Sequence, residues 1–383
     1  MREDVIEAVA ESAQLRAEDV GGAGAEMYQV LLPDGTLCSK VEPRVTPEEV
    51  LHLYRLMVQI RALDDRMMKL QRQGRIGFYM TGHGEEAAIL GSAYALEPTD
   101  WILPCYREYH AALLRGYSLT DFICQLLGNA RDITKGRQMP IHIAIKDLYF
   151  GSVSSPIGTQ IPQAVGMAWA AKLRGEKTVA ISYFGDGATS SSEFHVGANF
   201  AGVFKAPCIL FCRNNGWAIS TPTSVQSAVQ VFAQKALAYG IDGVRVDGND
   251  LLAVIDVTRR AAERARAGLG ATFIEAVTYR RGAHSSSDDP SAYRQDDEAK
   301  AWDERDPLLR LRRYLERKKL WSQDAQAEAE AESVLNVQNA LQEAEAIPPP
   351  PVPSIFEDVF ADVPWHLQEQ RDELLAYLAT KPR

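Results

Sequence analysis

The chain has 383 residues, of which 46% are hydrophobic and 24% are charged, a composition typical of a globular protein with one large domain and appendages, or with two smaller domains. The formal net charge of −10 argues against nucleic acid as the main partner, because an acidic surface cannot neutralise phosphates along a long footprint. The five cysteines form no Cys-x-x-Cys pair, and an odd count without a secretory leader favours a reducing compartment.

Residues 1–45 are predicted to form an extended N-terminal arm. Residues 1–4 have neither the apolar core of a signal peptide nor an Arg/Ser-rich transit pattern, and no apolar run approaches the ~18 residues of a membrane span. These observations predict a cytoplasmic location and no membrane partner. Within the arm, residues 28–32 followed by Pro33-Asp34-Gly35 indicate a short strand and a turn.

A long helix is predicted to begin at Thr46-Pro47-Glu48-Glu49, which combines a capping box with a proline in the first turn. Apolar residues then recur at helical spacing from Val50 to Leu70, and Gly74 ends the helix. This helix opens the predicted main domain.

Helices and strands alternate between about residues 160 and 280. In chain order, the predicted elements are a helix over 163–173, a strand over 178–184, a helix over 192–203, a strand over 208–212, a helix over 226–239, a strand over 244–246, a helix over 251–267 and a strand over 272–277. This alternation predicts an α/β fold with a doubly wound, mostly parallel sheet flanked by helices. Ligands of such sheets bind at the carboxyl ends of the strands.

After residue 280 the sequence predicts a polar loop over 281–294 and helices over about 297–319 and 323–345. A proline-rich, extended spacer over 347–353 then leads to a helical C-terminal tail, with an amphipathic helix over 365–378. The expected organisation is an arm (1–45), an α/β domain with C-terminal helices (46–346), and a spacer with a tail helix (347–383). The pattern leaves open whether the tail packs against another subunit or on its own domain.

Two polar turns follow neighbouring predicted strands. Gly185-Asp186-Gly187 follows the strand over 178–184, and Asn214-Asn215-Gly216 follows the strand over 208–212. If these strands are adjacent and parallel, Asp186 and Asn215 emerge at the same edge of the sheet. Their carboxylate and amide oxygens suit Mg²⁺, and the glycines let a diphosphate approach the backbone. A dinucleotide site is disfavoured, because Ser190 stands where that fingerprint has its third glycine.

These residues also resemble a known family. Gly185-Asp186-Gly187, 26 intervening residues and Asn214-Asn215 are similar to the thiamine diphosphate motif. Further segments resemble the α subunit of the first component of 2-oxo acid dehydrogenases, with the branched-chain type as the best match: residues 77–81, 106–108, 136–140, 154–163 and 213–223. The resemblance covers roughly residues 28–375 and implies a thiamine diphosphate-binding fold.

The resemblance implies roles for the residues at matching positions. Those implied to contact the cofactor are Tyr106, Arg107, Ser155, Ile157, Gly185, Gly187, Ala188, Arg213 and His284. Those implied to bind metal ions are Asp186, Asn215 and Trp217, the last through its carbonyl, for Mg²⁺, and Ser154, Pro156, Thr159 and Gln160 for K⁺. His284 would also assist acyl transfer as the catalytic histidine. Cys105 departs from the family pattern, which has a polar amide there, so the hydrogen bonding or the pocket shape is expected to differ.

The implied function is decarboxylation of branched-chain 2-oxo acids with thiamine diphosphate and transfer of the acyl unit to the lipoyl group of an acyltransferase. The resemblance implies an α2β2 heterotetramer in which the β subunit supplies the glutamate that activates the cofactor. Glu85, Glu86 and Glu193 of this chain all lie at predicted helix starts and are not assigned that role. Two alternatives stay open: a pyruvate or acetoin dehydrogenase α subunit, and a non-catalytic assembly scaffold of the same fold.

Overall fold

The computed structural model describes residues 26–38 and 44–381. Residues 1–25 and 39–43 of the predicted arm therefore lie outside the described residues. The α-helices are α1 (Pro47–Arg72), α2 (Glu86–Tyr94), α3 (Tyr109–Leu114), α4 (Leu119–Leu127), α5 (Gln160–Leu173), α6 (Ser192–Val203), α7 (Thr223–Gln226), α8 (Leu251–Arg266), α9 (Asp296–Ala301), α10 (Pro307–Arg317), α11 (Gln323–Glu345) and α12 (Trp365–Ala379). The strands are β1 (Trp101–Leu103), β2 (Ala180–Gly185), β3 (Cys208–Asn214), β4 (Trp217–Ala218), β5 (Thr221–Pro222), β6 (Asp242–Asp247) and β7 (Thr272–Val277).

Five strands form one parallel sheet in the order β1-β2-β3-β7-β6, and β4 and β5 form a separate antiparallel hairpin. Buried residues of α1, α2 and α8 form one core with the sheet, and those of α5 and α6 form a second core. Two cores on one sheet are expected when helices cover both of its faces. The predicted doubly wound α/β fold is confirmed.

The sequence signals for α1 correspond to observed contacts. The Thr46 hydroxyl accepts a hydrogen bond from the Glu49 amide (3.3 Å), and the Glu49 carboxylate accepts one from the Thr46 amide (2.7 Å), which completes the capping box. The apolar residues at helical spacing, among them Leu53 and Met57, are buried. None of the helices in the described residues combines the length and the apolar composition that a membrane span requires.

Two predicted helices are wrong in their extent. In place of the helix predicted over 226–239, the chain forms α7, then an irregular segment, and then a 3₁₀-helix over Phe232–Tyr239. The start of this 3₁₀-helix is stabilised by the buried Glu275, whose carboxylate accepts a hydrogen bond from the Ala233 amide (2.9 Å). The helix predicted over 297–319 is split into α9, a 3₁₀-turn and α10, because Asp306 caps α10 and Pro307 has no amide hydrogen with which to continue a preceding helix.

Candidate active site

A cavity of about 190 Å³ lies at the carboxyl ends of β2 and β3. These strands pair in parallel, with Gly185 opposite Arg213, so the turns that follow them meet at one edge of the sheet, as predicted. After β2 the chain forms a 3₁₀-turn over Asp186–Ser190, and after β3 it forms the β4–β5 hairpin. The cavity is lined by Cys105, Tyr106, Arg107, Ile157, Gly185, Asp186, Gly187, Ala188, Arg213, Asn215, Trp217, Ala218, Ile219 and His284.

The structure thus brings together all but one of the residues predicted to contact the cofactor or Mg²⁺. The exception is Ser155, which is exposed and whose hydroxyl lies 2.5 Å from Nε2 of His142 instead of lining the cavity.

The four residues predicted to bind K⁺ lie between β1 and the start of α5: Ser154, Pro156, Thr159 and Gln160. The hydroxyl of Thr159 donates to the carbonyl of Pro156 (3.1 Å).

The carboxylate of Asp186 has the properties of a cation ligand. Asp186 is buried, and its Oδ2 has no hydrogen-bond partner among the described residues. Burial raises the pKa of this carboxyl to about 6. The Oδ1 of Asn215, the second predicted ligand, accepts a hydrogen bond from the amide of Trp217 (3.2 Å), so its orientation is set. A buried, unpartnered carboxylate oxygen beside an oriented amide oxygen fits a hard divalent cation, which would satisfy both.

A buried ion-pair network surrounds Arg107 and Arg213, the arginines predicted to bind the diphosphate. Arg213 contacts Glu85 through Nη1, and its Nη2 lies 2.7 Å from a carboxylate oxygen of Glu108. Glu85 also accepts a hydrogen bond from the amide of Asn215 (3.1 Å) and lies 3.9 Å from Nε of Arg107. Burial raises the pKa of Glu85, but the charges of Arg213 and Arg107 outweigh it, and the net shift is downward. Glu85 is therefore an ionised counter-ion of the arginines and not a free acid.

Arg107 joins this network to the polar loop that carries His284. Its Nη2 donates to the carbonyl of His284 (2.7 Å), and its Nε donates to the carbonyl of Thr81 (3.0 Å). The amide of His284 in turn donates to the carboxylate of Asp288 (2.6 Å). The imidazole meets the Tyr106 ring edge-on, with ring centroids 5.8 Å apart. Hydrogen bonds from Arg107 and to Asp288 thus fix the backbone of the predicted catalytic histidine at the cavity.

The imidazole of His284 is neutral in this environment. Burial, followed by the charges of Arg107 and Arg280, lowers its pKa to about 3. Nη1 of Arg280 lies 3.2 Å from Nδ1 of His284. Because a guanidinium can only donate, Nδ1 is the acceptor and Nε2 carries the proton.

Three lining residues were not among the predicted contacts: Cys105, Ala218 and Ile219. Cys105 was noted only as a departure from the family pattern, and burial raises the pKa of its thiol to about 12, so it contributes a neutral, weakly polar wall. Ala218 packs against Gly187, where an added Cβ would lie 2.6 Å from the Cβ of Ala218. Ile219 lies in the segment 213–223 that carries the resemblance, but an apolar turn residue has no chemical signature by which it could be singled out.

Comparison with known proteins shows the family of this chain. Residues 54–353 match the family model described as Dehydrogenase E1 component. The chain is 44% identical over 360 residues to human 2-oxoisovalerate dehydrogenase subunit alpha, mitochondrial, covering 94% of this chain and 81% of the relative. It is 44% identical over 356 residues to the Caenorhabditis elegans protein of the same name (92% and 82%) and 40% identical over 358 residues to subunit alpha 1 of Arabidopsis thaliana (93% and 76%).

The cytoplasmic location predicted from the sequence is wrong by this comparison. Each of these relatives is named as a mitochondrial subunit, so the comparison gives no support to a cytoplasmic location. The prediction rested on leader features that were missing from residues 1–4, and a missing feature is weak evidence for a compartment.

Proposed function

This chain belongs to the dehydrogenase E1 component family, and we propose that it is the α subunit of a thiamine diphosphate-dependent dehydrogenase of branched-chain 2-oxo acids. Identities of 40–44% over 92–94% of the chain to 2-oxoisovalerate dehydrogenase α subunits support this substrate class over pyruvate or acetoin. The observation that carries the proposal is a carboxylate oxygen of Asp186 that has no hydrogen-bond partner in the described part of the chain and lies in one cavity with the buried arginines Arg107 and Arg213.

The cavity divides naturally into a metal part and an anion part. Asp186, Asn215 and the carbonyl of Trp217 would hold Mg²⁺, while Arg107 and Arg213 would bind the diphosphate through charge-assisted hydrogen bonds. Tyr106 would add a hydroxyl, and the backbone of residues 185–188 would approach the phosphates. Gly187 leaves no room for a side chain between this backbone and the hairpin, since an added Cβ would lie 2.6 Å from the Cβ of Ala218.

When bound, thiamine diphosphate supplies the carbon nucleophile and the electron sink for loss of CO₂. The contribution of this chain is to orient the cofactor and to present a proton donor beside it. His284, with a proton on Nε2 and Nδ1 engaged by Arg280, is suited to donate a hydrogen bond during acyl transfer to the lipoyl group. Arg107 holds the loop backbone at His284, so the same guanidinium that binds the diphosphate also sets the position of the imidazole.

We assign the acid that activates the cofactor to a β subunit, in an α2β2 heterotetramer that delivers the acyl unit to a lipoyl-bearing acyltransferase. The contacts of Glu85 and Glu86 support this assignment. Glu85 is paired with Arg213, and Glu86 is paired with Arg61 at 2.8 Å and accepts the amide of Gly84 at 2.8 Å. Neither has a free carboxylate oxygen to offer. Glu193 lies in the first turn of α6, as predicted.

A structural K⁺ site near the start of α5 is a further part of the proposal. Gln160 is buried, and its amide nitrogen donates to the carbonyl of Tyr183 (2.7 Å). Its Oε1 has no hydrogen-bond partner within the described ranges. An oriented amide oxygen of this kind, close in sequence to Ser154 and Thr159, supports a monovalent cation held by neutral oxygens.

The experiment is a cofactor titration of the reconstituted, cofactor-free α/β complex by calorimetry, followed by turnover of 3-methyl-2-oxobutanoate and of pyruvate. We expect Mg²⁺-dependent binding of thiamine diphosphate, faster turnover of the branched-chain substrate, and no activity from the isolated chain. Asp186→Asn should abolish the metal dependence. The matched control is Asp250→Asn, a buried carboxylate that follows β6 at the same edge of the sheet but does not line the cavity.

Each contrary result refutes a different part of the proposal. Absence of metal-dependent binding would favour the non-catalytic scaffold, and faster turnover of pyruvate would overturn the substrate class. Strong decarboxylation by the isolated chain would remove the need for a second subunit. Wild-type metal dependence in Asp186→Asn would refute the assignment of Asp186.

A further inference from the structure

The β4–β5 hairpin contains a strained residue at the cavity. Trp217 pairs with Pro222 and Ala218 with Thr221, so Ile219 and Ser220 form a two-residue turn. Ile219 has a φ of +56°, in the left-handed region. A positive φ at the first position of such a turn is normally taken by glycine, asparagine or aspartate, and a β-branched side chain is strongly disfavoured there.

The surrounding contacts hold Ile219 in this conformation. Its carbonyl accepts a hydrogen bond from Nη2 of the buried Arg280 (2.8 Å). The same nitrogen donates to the hydroxyl of Tyr293 (2.8 Å), and Nη1 faces the imidazole of His284. On the other side of the turn, Ala218 is packed against Gly187. A glycine at position 219 could keep every one of these backbone contacts, so they do not explain why the residue is isoleucine.

Packing within this chain does not explain it either. The side chain of Ile219 is 52% exposed and lines the cavity. The other large aliphatic side chain in the lining, Ile157, comes from a separate segment and is 49% exposed. A half-exposed isoleucine gains little from burial that could offset an unfavourable φ. Backbone strain that persists beside a cavity is commonly tied to the ligand that the cavity binds.

We propose that Ile219 is a positioning residue for the apolar rings of the cofactor. Its strained turn places an aliphatic side chain on the cavity wall, where it contacts the organic part of thiamine diphosphate together with Ile157. The diphosphate end is held separately by Arg107 and Arg213. This inference rests on the proposed function, because it takes thiamine diphosphate as the ligand. It explains why the turn carries isoleucine although its backbone favours glycine.

The test is Ile219→Gly in the α/β complex, titrated by calorimetry with thiamine diphosphate and, separately, with inorganic pyrophosphate, both with Mg²⁺. We expect the affinity for thiamine diphosphate to fall about tenfold, which corresponds to loss of one aliphatic contact. The affinity for pyrophosphate should stay within about twofold of wild type. The melting temperature of the cofactor-free complex should be unchanged or higher, since glycine relieves the strain. Ile219→Val should retain most of the binding.

Lys319→Gly is the matched control. Lys319 has a φ of +58° and is exposed at the end of α10, away from the cavity lining. It should gain the same relief of strain and leave both affinities unchanged. Equal affinity of Ile219→Gly and wild type for thiamine diphosphate would overturn the inference, and so would an equal loss for pyrophosphate, which would indicate a distorted backbone. A wild-type complex that binds pyrophosphate but not thiamine diphosphate would refute the proposed function itself.

Discussion

The charges of the buried arginines at this site are balanced by buried glutamates. The arginines that would bind a diphosphate are buried, and the glutamates Glu85 and Glu108 compensate their charge in the absence of a ligand. Glu85 also orients Asn215, so one carboxylate serves both the anion part and the metal part of the cavity. Replacing Arg213 would leave Glu108 as a buried carboxylate without its ion-pair partner, which is costly in a protein interior.

The neutral imidazole of His284 predicts a pH dependence of stability. An unfolded histidine has a pKa of about 6.5, whereas in the folded chain burial and the neighbouring arginines lower the pKa of His284 to about 3. The folded state therefore binds fewer protons between these values, and this residue makes the protein less stable as the pH falls below about 6.5. Above that pH its contribution is constant.

The measurement is urea unfolding of the cofactor-free α/β complex at pH 7.5, 6.0 and 5.0. We expect the stability of His284→Gln relative to wild type to increase toward the lower pH, because glutamine has no proton to exclude. His366→Gln, at an exposed position of α12, is the control and should follow wild type at every pH. Parallel pH profiles for wild type and His284→Gln would contradict the burial of this imidazole.

Chemical type decided which site residues could be found from the sequence. Asp186 and Asn215 could be located because charged and amide groups directly after apolar strands have few structural uses, whereas the role of Arg213 was implied only by the resemblance. Ile219 and Gln226 could not, since an aliphatic or amide residue in a turn is compatible with many environments. Their roles depend on contacts with Arg280 and with the Asp186 turn, which are distant in sequence.

At the scale of elements, α7 braces the two turns that would hold the metal. Gln226, its last residue, donates from Nε2 to the carbonyl of Asp186 (3.0 Å) and to the hydroxyl of Ser190 (2.7 Å). Because α7 directly follows β5, the same short segment connects the hairpin that carries Trp217 with the turn that carries Asp186. The distance between the two predicted metal-binding elements is thereby constrained.

Gln226→Met is therefore expected to weaken metal binding without removing a metal ligand. Methionine has a similar length but no donor, so the brace loses both hydrogen bonds, each worth about 1 kcal/mol. The Mg²⁺ concentration for half-maximal cofactor binding should rise roughly fivefold or more. Tryptophan fluorescence of the α/β complex, titrated with Mg²⁺ at saturating thiamine diphosphate, measures this directly.

The control for this prediction is Gln326→Met. Gln326 is a buried amide that accepts hydrogen bonds from Tyr54 of α1 and from Trp321 and does not line the cavity. Its replacement should lower the melting temperature and leave the Mg²⁺ titration unchanged. An unchanged titration for Gln226→Met would show that the brace has no effect on the metal.

Element boundaries were predictable where a local signal ended them. The capping box at Thr46 and the alternation of strands and helices were sufficient to locate α1 and the parallel sheet. The break between α9 and α10 also had a local signal, in Asp306-Pro307, which the prediction of one helix over 297–319 did not use. The start of the 3₁₀-helix at Phe232 had no local signal in the sequence, because it depends on a contact with Glu275 from β7.

At the scale of the whole molecule, the C-terminal tail is attached at its base and unpacked at its end. Nζ of Lys135 lies 2.5 Å from the carboxylate of Asp358, and Nη2 of Arg137 donates to the carbonyl of Glu357 (3.0 Å). Beyond this anchor, no residue of α12 is buried by the described part of the chain, and Trp365 is 75% exposed. Exposed aromatic residues on an otherwise solvated helix are typical of a surface that binds a partner.

Of the two positions that the sequence left open for the tail, these contacts favour packing against another subunit. We therefore expect the double substitution Trp365→Ser/Tyr377→Ser to weaken assembly of the α/β complex and to leave the melting temperature of the isolated chain unchanged. Sedimentation over a range of concentrations measures the first effect, with about a tenfold rise in the dissociation constant if one aromatic anchor is lost. Gln368→Ser/Gln370→Ser, at polar positions of the same helix, is the matched control.

The reverse result would place the tail on its own domain. In that case the aromatic variant would assemble as wild type does, and the isolated chain would melt at a lower temperature, because the two side chains would pack within the chain. The anchor provides an independent check. Lys135→Ala should loosen the base of the tail, which Arg137 still holds, and keep α12 intact, so it should weaken assembly less than the aromatic pair if α12 itself makes the contact.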